Sequence, residues 1–188
     1  MDRYEVLRED WFALLRAGER IVGTANSDTH FRSRPVGTPR NYVHYEGETV
    51  PASSFDEERF VRAVLEGRAL GTTGPIVDVE FAGAGPGETA ATRKGTLRVS
   101  VSAAPWVPVD ELRVYVSGKI AETRPIARGE SVEIPLDLAS DGFITVEVRG
   151  EPGGIYALIL PDFTPLAFTN PIWVGAPSTD GASSPEVM

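Results

Sequence analysis

Leu7, Trp11, Leu14 and Leu15 recur at i, i+4, i+7 and i+8, which predicts an amphipathic helix near the start of the chain. Gly18 stands where a glycine past the last turn would close it. Ile21 and Val22 then open a short apolar stretch that runs into Ala25, Asn26, Ser27, Asp28, Thr29 and His30. The pattern predicts a helix, a short buried strand and a polar loop at the strand's C-terminal end. From Phe31 the chain is loop-like, with Pro35, Gly37 and Pro39, before a short strand at Tyr42–Tyr45. Ser54 and Glu57 have the spacing of a capping box. Behind them Phe60, Val61, Val64 and Leu65 make the apolar face of a second helix, which Gly67 would end.

After Gly74-Pro75 the period changes to two. Val77, Val79 and Phe81 alternate with Asp78 and Glu80, and Leu97, Val99 and Val101 alternate with Arg98, Ser100 and Ser102. The same alternation marks 112–116, 132–136, 144–148 and, through Ile155, Ala157 and Ile159, a sixth segment. Strands with one apolar face are buried economically as two sheets packed face to face. Val99, Val101, Val114, Val116, Ile144 and Val146 are expected inward, and Arg98 and Glu147 outside the core. The fold class expected is therefore α+β: residues 1–71 as the closing segment of an α/β body, and 72–175 as an antiparallel, Ig-like β-sandwich. Residues 176–188, small and polar without a period, are expected to be a disordered tail. The first 70 residues bury too little to fold by themselves. They are expected to pack on the sandwich or on a second copy, so that homodimerisation through this part is an expectation.

Composition narrows the function. The chain has 188 residues, 41% hydrophobic and 24% charged, which is enough apolar surface for a core. Eighteen basic residues against 27 acidic ones leave a net charge of −9, which argues against a nucleic-acid partner that must replace counterions. There are no cysteines, so disulfides, thiolate metal sites and cysteine nucleophiles are excluded. No apolar run approaches the roughly 20 residues of a membrane span, and no membrane partner is expected. The opening MDRYEVLRED is charged where a signal peptide would be basic and then apolar, so the chain as given is expected to be soluble, its compartment unspecified.

Asp28 and His30, two residues apart at the predicted strand end, supply a carboxylate and an imidazole to one concavity. Both are ordinary ligands for zinc, manganese or iron; the alternative is that Asp28 caps the loop and His30 bonds a carbonyl. Arg32, Arg34 and Arg40, with His44, make a basic stretch without an acid between Thr29 and Tyr45. Such a stretch suits an anion, or pairs with the acidic N-terminal helix. The glycine-rich Gly83-Ala84-Gly85-Pro86-Gly87 lacks the Lys-Ser/Thr and the helix of a phosphate loop and is expected to be a turn. No Gly-x-Ser-x-Gly elbow occurs. Trp106, between Pro105 and Pro108, either fills the end of the sandwich or offers a stacking face for a sugar.

The stretches Asp10-Trp11-Phe12-Ala13-Leu14-Leu15, Gly23-Thr24-Ala25-Asn26-Ser27-Asp28-Thr29-His30 and Val36-Gly37-Thr38-Pro39-Arg40-Asn41-Tyr42-Val43 resemble the end of a PHP (polymerase and histidinol phosphatase) domain. The CehA/McbA metallohydrolase branch of these metal-dependent phosphoesterases is the nearest in pattern. The resemblance continues through Phe60-Val61, Gly67-Arg68 and Thr73-Gly74-Pro75 to Ala167-Phe168-Thr169-Asn170-Pro171-Ile172. It implies that Asp28 and His30 are the family's last metal-ligand pair, that Arg40 (with Arg32 and Arg34 beside it) meets an anion, and that 1–71 is the C-terminal part of an α/β barrel. The implied cofactors are divalent metal ions (zinc, manganese or iron), and the implied substrate is a phosphoester or related ester attacked by metal-bound hydroxide. The family's His-x-His is absent from this sequence. Two ligands without the rest of a site bind metal weakly, so the chain alone is expected to be inactive, with a metal bound in the complete protein and none required here. The other reading is a non-catalytic β-sandwich interaction or carbohydrate-binding module.

Overall fold

The computed structural model describes residues 3–32, 35–45 and 54–175. Its first elements are α1 (Arg3–Arg16), β1 (Arg40–Val43), α2 (Glu57–Leu65), β2 (Ala69–Thr72), β3 (Ile76–Phe81), β4 (Thr89–Ala90) and β5 (Lys94–Ser102). There follow β6 (Glu111–Val116), β7 (Lys119–Pro125), β8 (Ser131–Asp137), β9 (Gly142–Arg149), α3 (Gly154–Ile159), β10 (Leu166–Thr169) and β11 (Ile172–Val174). The tail 176–188 lies outside the described residues.

The alternating segments at 77–81, 97–101, 112–116, 132–136 and 144–148 form strands, and they pack as two sheets. The smaller sheet has the order β3-β5-β8; the larger has β1-β2-β10-β9-β11-β4, with β6 on the far edge of β9 and β7 beyond it. All of these pairs are antiparallel except β11 with β4. Val77, Val79, Phe81, Leu97, Val99, Val101 and Ile134 from one sheet meet Leu112, Val114, Ile144, Val146, Val148, Ala167, Ile172 and Val174 from the other. Val116 is partly buried against the same core. Period two decides this, because a slip by one residue would turn every one of these side chains to water.

Three expectations change. The segment around Ile155, Ala157 and Ile159 is α3, not a strand. Its sequence Ile-Tyr-Ala-Leu-Ile-Leu is apolar throughout and satisfies either period; Tyr156 and Leu160, four apart, are the residues it buries. Glu147 is buried, because β9 is covered on both faces, while Arg98 stays on the surface between Glu80 and Glu133. No barrel segment forms: β1 and β2 are antiparallel strands at the edge of the larger sheet, and no strand forms at Ile21–Val22. A strand there would need a neighbouring backbone to take its bonds; for Gly23 and Ala25 the side chains of Asn170 and Asn41 take them instead.

The two helices of the first 70 residues end as their glycines predict. Glu19 N–H reaches Leu14 C=O and Arg68 N–H reaches Ala63 C=O, each over a left-handed glycine (Gly18 φ +94°, Gly67 φ +78°). The cap of α2 is Asp56 and not Ser54: its carboxylate accepts from Arg59 N–H at 3.1 Å.

Candidate functional site

Helix α1 lies on the outer face of the larger sheet, with the same period as predicted but rotated about its axis. Leu7 and Leu14 are exposed; Phe12 and Leu15 are buried against Tyr115 and Phe143, flanked by Trp11 and Trp173. The rotation brings Tyr4 and Arg8, one turn apart, over Glu147 of β9. Glu147 is only 2% exposed. Tyr4 donates its hydroxyl to Oε1 at 2.7 Å, and Tyr115 donates to Oε2 at 3.1 Å. Arg149 reaches Oε2 at 3.0 Å and Arg8 at 3.4 Å. Glu5 lies 3.8 Å from Arg149, and Glu9 pairs with Arg8 at 2.9 Å. A buried carboxylate needs this many partners, because its desolvation is otherwise prohibitive.

The network also shifts its members. Burial, then the charge of Glu147, raises the Tyr4 hydroxyl well above its ordinary pKa of 10.0. The same two causes raise Tyr115. Burial works against the charge on Arg8, yet Glu147 and the hydrogen bond to Glu9 outweigh it and hold the guanidinium firmly protonated.

Beside the network a cleft of about 360 Å³ opens between α1 and the sheet. Tyr4, Trp11 and Phe168 make its aromatic walls, Gly71–Thr73 its floor, and residues 23–26 its far side. Phe168 lies 6.0 Å from Trp11 and 6.2 Å from Tyr4, ring centre to ring centre. It rests on bare backbone: a Cβ added to Gly71 would lie 2.5 Å from the Phe168 ring. The far side is an extended strap held by two asparagines. Asn170 accepts from Gly23 N–H at 2.7 Å and donates to Gly23 C=O at 3.1 Å. Asn41 does the same for Ala25, at 2.8 and 2.9 Å. The polar side chains lining the cleft have partners inside the chain. Trp11 Nε1 donates to Ile21 C=O, Thr72 to Pro75 C=O, Thr73 to Thr164 C=O, and Asn26 to Thr24.

The residues singled out in the sequence fall elsewhere. Asp28 and His30 lie on an irregular, exposed stretch, with side chains 91% and 59% open to solvent. His30 Nδ1 is 3.7 Å from the Asp28 carboxylate and 2.5 Å from its carbonyl oxygen. Arg40 donates to Gly37 C=O and to the Tyr42 hydroxyl, and its guanidinium sits 5.5 Å from the Tyr42 ring centre. Arg32 is exposed, and Arg34 lies outside the described residues. Among the described residues no hydrogen bond or ion pair joins Arg32 or Arg40 to the Asp28–His30 pair, and no three His, Cys, Asp or Glu side chains gather as a metal site would require. Glu147, Tyr4, Arg8 and Phe168 were not singled out in the sequence. The available signal was the spacing Tyr4, Arg8, Phe12, Leu15, which is one helix face as regular as the apolar one.

No family model and no curated protein matches this chain. Among solved structures, a neutron crystallographic structure of a Jonesia denitrificans lytic polysaccharide monooxygenase is similar at 15% identity, covering 87% of this chain and 92% of that one with a TM-score of 0.28. An overlap that low assigns neither an activity nor a ligand. The PHP resemblance is corrected by these findings. No phosphoesterase model matches, the residues that carried the resemblance are spread over α1, the strap, β1, α2 and the β10–β11 part of a β-sheet protein, and the Asp-x-His pair is exposed. What stands is a mostly β chain of two packed sheets with few helices. No helix among the described residues is long and apolar enough to cross a membrane.

Proposed function

We propose that the chain is a non-catalytic β-sandwich interaction module that receives an apolar group, a partner's side chain or the apolar face of a small molecule, in the cleft beneath α1. The observation that carries this reading is the composition of the cleft. Three aromatic rings wall it, the polar side chains named above are bonded within the chain, and its volume of about 360 Å³ falls in the range of ligand pockets. A group entering it gains burial against Trp11, Tyr4 and Phe168. Titration with the apolar dye anilinonaphthalene sulfonate tests it. Saturable binding with a change in tryptophan emission is expected, abolished by Thr24→Trp, which fills the cleft from its exposed rim. Dye binding unchanged by that substitution would overturn the assignment.

A carbohydrate reading has one observation of its own. Trp106 is 37% exposed, with its ring centre 6.0 Å from that of buried Tyr156, so the ring packs on the end of the sandwich and keeps part of its surface open to solvent. Retention on insoluble polysaccharide that is lost in Trp106→Ala would favour it; equal retention of both proteins would count against it.

A further inference from the structure

Among the described residues strand β3 has one unpaired edge, and the groove beside it has the chemistry for one kind of partner. Phe81 exchanges both backbone hydrogen bonds with Ala84, on the side away from β5. Backbone groups two residues apart point the same way, so the N–H and C=O of Val79 and Val77 also face away from β5. Val101, opposite Val77, confirms the geometry: its own backbone bonds run to Gly129 and Glu130. Among the described residues nothing bonds the outward backbone groups of Val77 and Val79. A groove of about 570 Å³ runs along this edge, with Tyr42, Val43, Leu70 and Pro86 among its walls.

The wet face of the smaller sheet carries a charge ladder. Glu80, Arg98 and Glu133 lie in register across β3, β5 and β8, with Arg98 bonded to Glu80 at 2.9 Å and to Glu133 at 3.2 Å. Signs alternate from strand to strand, and the ladder stops at an acid on the open edge. Asp78, two residues earlier on the same face, stands opposite Ser100, with no cation across from it. A second copy of β3 added to this edge would set carboxylates against carboxylates, which disfavours self-pairing.

We propose that this edge binds an extended segment of another protein by strand addition, the segment carrying lysine or arginine at alternate positions and apolar residues between them. Its basic side chains continue the ladder at Glu80 and pair with Asp78; the apolar ones turn into the groove; its backbone takes the free groups of Val77 and Val79. This surface shares no lining residue with the cleft beneath α1, so either assignment can fail without the other.

The test uses a short peptide alternating lysine and valine, with a glutamate–valine peptide and an N-methylated lysine–valine peptide as comparisons. Binding is read by calorimetry and by amide exchange. The lysine peptide is expected to bind and to slow exchange at Val77 and Val79, and the other two to fail. Asp78→Lys, an exposed change, is expected to weaken the lysine peptide roughly fivefold and to admit the glutamate peptide, as cross-strand charge pairs require. Equal binding of the N-methylated peptide, protection at residues other than those of β3, or an unchanged charge preference in Asp78→Lys would each overturn the proposal. So would a dimer of the unliganded protein held through β3.

Discussion

Glu147 shows how much one buried charge can organise. Five surrounding groups answer it: Tyr4, Tyr115, Arg8 and Arg149 directly, and Glu5 through Arg149. Removing it strips two tyrosine hydroxyls and two guanidinium groups of their shared buried acceptor and leaves Arg8 with Glu9 and Arg149 with Glu5 as partners, so Glu147→Ala is expected to cost about 3 kcal/mol in urea unfolding. An unaltered midpoint would show that the network adds nothing net. Next to it, Thr145 is buried with its hydroxyl lacking a partner among the described residues. Thr145→Val keeps the shape and removes that desolvated group, so a gain of about 1 kcal/mol is expected by thermal unfolding. The same site sets an alkaline limit. Tyr4 is raised above 10.0 in the fold, so above that pH the unfolded chain has lost a proton that the folded chain retains. Stability from this source is therefore complete below pH 10.0 and falls as pH rises past it. Urea midpoints from pH 8 to 11 should decline at the alkaline end, and less steeply in Tyr4→Phe.

At the scale of elements, the strap and α3 carry the lesson. Residues 21–26 are extended without belonging to a sheet, because Asn41 and Asn170 supply the hydrogen bonds a neighbouring strand would have supplied. Asn170 is fully buried and also donates to Ala69 C=O at 2.9 Å. Asn170→Ala is expected to cost about 2 kcal/mol and to speed amide exchange at Gly23; Asn41→Ala, nearer the surface, should cost less and free Ala25. Exchange at Gly23 and Ala25 that ignores both substitutions would mean the strap is held by packing against Trp11 and Phe168 instead. In α3 the apolar run leaves Ile155, Leu158 and Ile159 exposed while Tyr156 and Leu160 join Val107 at the end of the sandwich.

For the whole molecule, the core between the sheets draws all of its buried members from Val77 onward, whereas α1 covers a separate cluster on the outer face. Deleting residues 1–20 should therefore leave a cooperative, β-rich unfolding transition, with Phe143, Tyr115 and Glu147 uncovered, a lower melting temperature and self-association in light scattering. Loss of any cooperative transition would show that α1 belongs to the folding core. By itself the sequence determined five sandwich strands, at 77–81, 97–101, 112–116, 132–136 and 144–148, most of their inward residues, the two early helices and their glycine ends, but neither β4 nor β7. These follow from local periods and from backbone preferences that need no distant partner. It determined far less about faces. Burial of Glu147 depends on a helix more than 130 positions away, which turned Tyr4 and Arg8 inward because a carboxylate waited there. Ile21 and Val22 carry a strand-like pattern, yet two asparagine side chains supply the backbone bonds of the residues after them, and Asp28 and His30 stand largely in water on an irregular stretch. Such outcomes belong to the tertiary structure, because the free energy of a buried polar group is set by what stands opposite it, and no local pattern encodes that.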